Sequence, residues 1–369
     1  MEPQVSINSK KKDTLIFTIS NINVSLANAL RRTILSQIPI VVIRSHPYEK
    51  NDVTIHVNTT RLNNEILKQR LSCIPIYIRD QLSEEVLKEY EIVIDKKNTS
   101  DVVEFITTED FKIIHRGKEL ADDVAHKIFP PDTFTKDYIL FARLRPKISN
   151  DLPGEELKIT AKLSVGNAQE NGMFNVASTC SYRMTPDIPR QSDIWGKKAS
   201  ELEKKGITGE AIEFEKKNWF LDEGKRIYLK DSFEFILETL GIFSSKELIK
   251  IAIKIINEKL SVFKAQIESG TFPIKHHQGT TPNAFDLTLQ NESYTLGKVL
   301  EFILYYDYFI TDKTLSYVGF LKKHPHDDDS IIRMAFKEDV DTFQNALHYL
   351  DAAIQKAQQI FSAVEGQFN

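Results

Sequence analysis

One pattern occurs twice in this chain, and it limits the folds available more than any other feature. Residues 13–20 (DTLIFTIS) alternate, placing Leu15, Phe17 and Ile19 on one side of a strand. A turn-rich stretch, Asn21 to Val24, follows. In SLANALRRTILSQIP, Leu26, Leu30, Ile34 and Ile38 then recur every four residues and build one apolar helical face. Ser25 is a favourable N-cap, and Pro39 stops the helix nearby. Residues 283–306 repeat the plan. Phe285, Leu287 and Leu289 are the strand positions, Thr295 is the expected N-cap, and Leu296, Leu300 and Leu304 form the helical face. Phe17 and Leu287, Ile19 and Leu289, Asn21 and Asn291, Ser25 and Thr295, Leu30 and Leu300 all stand 270 positions apart. Two amphipathic helices alone can coincide by chance. A strand, an asparagine and a cap at the same offset make an internal repeat. Two such units can pack face to face, as a homodimer interface does.

Each unit also has a later strand and a long helix. The first strand alternates through Phe233 and Phe235, and its helix carries Leu248, Ile251, Ile255, Ile256 and Leu260. The second unit has the strand SIIRMAF and a helix from Asp339 onward, with Phe343, Leu347, Leu350, Ile354 and Ile360 as its stripe. Ala352, Ala353 and Ala357 allow close helix approach there. Between the first unit's halves, residues 50–182 read mostly as strands: DVTIHVN, IPIYI, YEIVID, VVEFITT, YILFARL, LKITAKLSV and STCSYRM. The predicted plan is therefore a first module of residues 1–46 and 225–268. A β-rich inserted domain occupies 47–186, and a polar helical excursion with Trp195 and Trp219 as anchors occupies 187–224. Residues 269–282 form a linker, with His276 and His277 exposed, and 283–369 form a second module.

Composition excludes several functions. The formal net charge is -4, whereas a chain that grips nucleic acid alone usually carries a basic excess. Lys10, Lys11 and Lys12 are the only notable basic run and fit a solvated turn. Cys73 and Cys180 are the only cysteines. They form no paired zinc-ligand spacing, and they suit a reducing compartment. No apolar run is long enough for a membrane span, so a soluble intracellular protein is expected. Asp327, Asp328 and Asp329 lie near His324 and His326, but consecutive residues point in different directions and converge poorly on a metal. No phosphate-binding glycine loop, nucleophile elbow or metalloprotease motif occurs. No catalytic residue is expected.

At SLANALRRTILSQIP the sequence resembles the signature of the α-like subunits of cellular RNA polymerases: the bacterial α subunit and the third-largest subunit of the eukaryotic and archaeal enzymes. The matching residues are Asn28, Leu30, Arg31, Arg32, Ile34, Leu35 and Pro39. NTTRLNNEILKQRLSCIPI matches a second family block through Asn58, Leu62, Glu65, Ile66, Arg70, Leu71, Ile74 and Pro75. The C-terminal part resembles the small eleventh-type partner subunit. It matches in Asn291, Glu292, Thr295, Leu296, Gly297 and Leu300, then Tyr317, Gly319, His324 and Pro325, then Ile331, Ile332 and Arg333.

The resemblance implies an α+β fold with two α-subunit-like dimerisation modules. These would form an intramolecular pseudo-dimer, the first module being interrupted by the β-rich domain. Leu26, Leu30, Ile34, Leu296, Leu300 and Leu304 would form the dimerisation interface. Asn28, Arg31, Arg32, Glu65 and Arg70 would dock other subunits. The implied partners are the second-largest and largest polymerase subunits and a small tenth- or twelfth-type subunit. DNA would be met only through the complex, and no membrane or homodimer is needed. The fusion of two partners looks like the arrangement of large cytoplasmic DNA viruses, which would place the chain in the host cytoplasm and virion core. The eukaryotic larger partner carries a four-cysteine zinc site that this chain lacks, so neither metal nor cofactor is carried over.

Overall fold

The computed structural model describes residues 2–79, 83–149, 153–338 and 343–368. It is α+β and divides into two compact units. One comprises Met1–Ile34, Thr179–Glu238 and Ser245–Asn369; the other comprises Leu35–Ser178 and Thr239–Ser244.

The first unit contains two four-stranded sheets. The first is built from β1 (Gln4–Lys11), β2 (Thr14–Ser20), β3 (Ala177–Pro186) and β4 (Tyr228–Thr239), in the order β1-β2-β4-β3. Helix α1 (Val24–Ser36) follows β2, and α2 (Ser245–Glu268) follows β4. The second sheet is built from β5 (Ile274–His276), β6 (Ala284–Leu289), β7 (Leu315–Leu321) and β8 (Ser330–Phe336), in the order β5-β6-β8-β7. Helix α3 (Tyr294–Leu304) follows β6, and α4 (Phe343–Glu365) follows β8. The two sheets thus share one strand order and one helix placement.

The turn between strand and helix is repeated in detail. Asn21 has φ 59° and Asn291 has φ 56°. Asparagine tolerates this left-handed region better than most residues, because its short side chain can bond locally. The caps differ from the sequence expectation. Asn23 Oδ1 accepts from the Ser25 N–H at 2.9 Å, and Ser293 occupies the N-cap of α3. Ser25 and Thr295 therefore lie inside the first turn. The left-handed asparagine reverses the chain so tightly that each helix starts two residues early. The true caps keep the 270-residue offset.

Strand alternation is as expected: Leu15, Phe17, Ile19, Phe233, Phe235, Phe285, Leu287 and Leu289 are all buried. Phe17 pairs with Phe235 across the ladder, and their rings stack with centroids 5.0 Å apart. The helical stripes needed adjustment. In α2, Ile249, Ala252 and Ile253 are buried, while Ile251 and Ile255 are half-exposed. In α4 the buried residues include Ala346, Leu350, Ala353, Ile354 and Ala357; Phe343 is exposed and Leu347 half-exposed. Small side chains such as Ala346, Ala353 and Ala357 let α4 pack closely on both α2 and α3. The expected start of α4 at residues 339–342 lies outside the described residues.

The stretch read as a linker contains β5, which pairs with β6 from Ile274↔Leu287 to His276↔Phe285. Phe272 is buried, with its ring centroid 6.1 Å from that of Phe263. Residues 188–221 form two helices, Ile188–Lys204 and Glu210–Leu221. Trp195 and Trp219 are buried there, with centroids 5.6 Å apart.

The second unit is built on a five-stranded antiparallel sheet. Its strand order is Val53–Asn58, Glu156–Lys162, Tyr90–Lys97, Lys112–His115 and Lys118–Glu119. A separate ribbon pairs Glu104–Thr107 with Leu140–Leu144. The helix Asn64–Ser72 contributes Leu67 and Leu71 to the core, beside Ile92, Ile94, Phe111, Phe141 and Ile159. IPIYI, expected as a strand, is irregular although Ile74 and Ile76 are buried. Pro75 has no N–H to give a ladder. STCSYRM belongs to β3 and so runs into the first unit's sheet rather than staying within the insert.

Phe368 is fully buried, and its ring meets Phe17 edge-on at 5.1 Å. Gln367 Nε2 donates to Pro3 O at 2.8 Å, and Gln367 Oε1 accepts from the Val5 N–H at 2.8 Å. Replacing Phe368 with Ala should therefore cost about 3–5 kcal/mol in denaturant unfolding. A loss below 1 kcal/mol would show that this anchor is dispensable.

Candidate assembly interfaces

The six leucine and isoleucine positions predicted to join the repeats are Leu26, Leu30, Ile34, Leu296, Leu300 and Leu304. Each is at most 1% exposed, and all lie in the first unit. Fully burying one such side chain contributes about 1.5–3 kcal/mol. Polar bonds also cross between the halves. Arg32 Nε donates to Thr295 Oγ1 at 2.9 Å, tying α1 to α3. Lys259 Nζ bonds Glu292 Oε1 at 2.7 Å, tying α2 to the turn before α3. Gln358 Nε2 donates to Ser261 Oγ at 2.9 Å, tying α4 to α2. Sequence periodicity gave no sign of Lys259 or Gln358, because isolated polar residues on a helix look solvated until their partner is known.

Gly297 has a steric reason. A Cβ there would lie 1.9 Å from Cε2 of Phe320. The helix and the edge strand β7 approach through this gap, so Gly297→Ala must displace the ring.

The five predicted docking residues separate into two groups. Arg32 is engaged with Thr295. Arg70 is exposed, but its Nε donates to Phe141 O and a terminal nitrogen to Leu140 O, both at 2.8 Å. Arg70 therefore helps pin the ribbon strand to the helix Asn64–Ser72, beside a cleft that Cys73 and Ile74 also line. Asn28, Arg31 and Glu65 form the other group. Arg31 Nε donates to Asn28 Oδ1 at 3.0 Å on the half-buried side of α1, and Glu65 is exposed in the first turn of its helix. The residues of α1 and those of the insert belong to different compact units.

Groups considered for chemistry have local structural roles. Asp327 Oδ2 accepts from the His324 N–H at 3.1 Å. Asp329 Oδ1 accepts from the Asn291 N–H at 2.9 Å, which holds the left-handed turn. Cys180 is buried, and that burial pushes its thiol up to about 12. Such a thiol is protonated at neutral pH and unreactive.

A largely buried charge cluster lies on the second sheet. Asp286 on β6 bonds Arg333 on β8 at 2.6 Å and 3.1 Å, in bidentate fashion, and lies 3.3 Å from His277 Nδ1. His277, read as exposed, is only 17% exposed at its side chain. It faces Asp286 because β5 extends the sheet. Burial acts to raise the Asp286 carboxyl, but the bonds and charges of Arg333 and His277 outweigh it and hold the group below 3.8.

The fold and these contacts define a chain built from a repeated strand–turn–helix module that associates through its helices. The family of the RNA polymerase Rpb3/Rpb11 dimerisation domain matches residues 16–260, and the chain belongs to that family. The curated relatives are similar over most of their own length. Subunit 3B of DNA-directed RNA polymerases IV and V from Arabidopsis thaliana is 26% identical, over 71% of this chain and 90% of the relative. Subunit RPAC1 of DNA-directed RNA polymerases I and III from Homo sapiens is 24% identical, over 72% and 85%. DNA-directed RNA polymerase subunit Rpo3 from Pyrococcus horikoshii is 24% identical, over 72% and 98%.

Two measurements check this geometry. In a double-mutant cycle, Arg32→Met and Thr295→Val should couple by about 0.5–1.5 kcal/mol; strict additivity would mean that the bond contributes nothing. Asp286→Asn should lower stability at neutral pH by about 1.5–3 kcal/mol. The carboxyl is depressed in the folded state, so its contribution is present above 3.8 and is lost as pH falls through the folded value. The gap between wild type and Asp286→Asn should therefore close on acidification. A gap that stays constant from pH 6 to pH 2 would contradict the assignment.

Proposed function

We propose that this chain is a non-catalytic assembly-platform subunit of a multisubunit DNA-directed RNA polymerase. It carries two dimerisation modules in one polypeptide, which form a pseudo-dimer within the chain. The observation that carries this reading is the second copy of the sheet order, left-handed asparagine turn and helix pair in residues 274–365, wholly beyond the span matched by the family model. The named relatives are polymerase subunits, which supports the polymerase role. Fusing two partners replaces a bimolecular step with an intramolecular one, at an effective concentration on the order of mM. On this reading the chain needs no second copy. It docks the second-largest and largest subunits and a small tenth- or twelfth-type subunit, as a fused subunit of a large cytoplasmic DNA virus would.

Arg31 with Asn28 is the better docking candidate on α1, because Arg32 is held by Thr295. The purified chain should sediment as a monomer and should capture a co-expressed second-largest subunit. Arg31→Glu should weaken that capture at least tenfold while leaving the melting temperature unchanged. Arg32→Glu should instead lower the melting temperature. A dimeric chain that fails to capture the subunit would refute the proposal.

A further inference from the structure

The two halves differ at one pair of matching positions. Arg32 on α1 and Phe302 on α3 stand at the repeat's offset of 270, as do Ser25 and Thr295. Arg32 donates to Thr295 Oγ1. At the matching place Phe302 has nothing to donate, and Ser25 Oγ is buried without a hydrogen-bond partner. A pocket of about 350 Å³ borders Phe302, and its walls also include Asn21, Asn23, Lys230, Asp231 and Tyr306 but not Ser25.

We propose that this pocket receives an arginine side chain from a partner chain. One of its walls is Phe302, the position that matches Arg32 in the other half. Its wall chemistry suits a guanidinium. Asp231 supplies a half-buried carboxylate, and among the described residues no ion-pair partner is seen for it. Its φ of 59° keeps the residue in a tight turn, where the Asp231 carbonyl accepts from the Ile22 N–H at 3.2 Å. The Phe302 and Tyr306 rings lie 6.0 Å apart, tilted by 31°, and offer flat faces for a planar cation. The Asn21 and Asn23 side chains provide further carbonyl acceptors. Lys230 is exposed, so its ammonium can turn into solvent. A lysine ammonium would meet the same carboxylate but could not stack flat on the rings or bond in a fork.

The probe is acetyl-Gly-Arg-Gly-amide, with the citrulline peptide as its uncharged counterpart. Each is titrated into the full chain carrying fluorotyrosine, and the Tyr306 fluorine resonance is identified by Tyr306→Phe. The arginine peptide should shift that resonance saturably and bind at least tenfold more tightly than the citrulline peptide. Asp231→Asn should weaken binding about tenfold, because one charge-assisted bond is lost. Asparagine tolerates the positive φ, so this variant should fold. Phe302→Arg should fill the pocket from within and abolish binding. Absence of a saturable shift, equal binding of the two peptides, or full binding to the Phe302→Arg chain would each overturn the proposal. If a variant fails to fold, the comparison of peptides on the unsubstituted chain decides alone. The probe contains no polymerase subunit, so its failure and a failure of the platform reading are separate results.

Discussion

The first unit depends on buried helical faces contributed by both halves, with α4 packed on both α2 and α3. A sheet with helices on one side must place the far side of those helices against another layer. Leu26, Leu30 and Ile34 on α1 and Leu296, Leu300 and Leu304 on α3 are all almost completely hidden. The polar bonds between halves add selectivity to this association. Arg32 reaches Thr295, Lys259 reaches Glu292, and Gln358 reaches Ser261. A shift of one helix turn would break all three and leave the nearly buried Glu292 carboxylate without its lysine, a costly outcome.

Much of this was legible in the sequence, for a physical reason. Strand alternation and helical spacing are local, and the repeat doubled the signal at a fixed offset. Phe17, Phe235, Leu287 and the six helical positions were read in their correct burial. The caps were misplaced by two residues because a left-handed asparagine has no periodic signature. In α2 and α4 the predicted Leu248, Ile256, Leu260, Leu350, Ile354 and Ile360 are buried, while Ile251, Ile255, Phe343 and Leu347 give way to Ile249, Ala252, Ile253 and Ala346, because weakly apolar alanines carry little periodic signal. Of the docking candidates, Arg32 and Arg70 turned out to bond within the chain, Arg70 to backbone carbonyls on a strand some seventy residues away. Nothing in a single sequence reveals such a partner. The Asp286–Arg333–His277 cluster has no sequence signature either, because it forms only when β5 pairs with β6.

The insertion shows how one module can be enlarged without losing its plan. In the second half, α3 passes through one π-helical segment, Tyr305–Thr311, into β7. In the first half, the corresponding connection holds an independent antiparallel unit with its own core around Phe111, Phe129 and Phe141. The strand order of the interrupted sheet still matches that of the uninterrupted one. Loop closure cost grows slowly with length, so a long excursion with its own compact core is tolerated. The two halves are also free to differ at matching positions, as Phe302 does from Arg32.

Bonds from Arg32 to Thr295, Lys259 to Glu292 and Gln358 to Ser261 join the two matching halves of the chain. A protease site placed in Ser269–Phe272, between α2 and β5, tests this association directly. After complete cleavage, the account predicts that the two fragments co-migrate as a one-to-one complex under native conditions and separate only in denaturant. Fragments that part immediately on cleavage would contradict it.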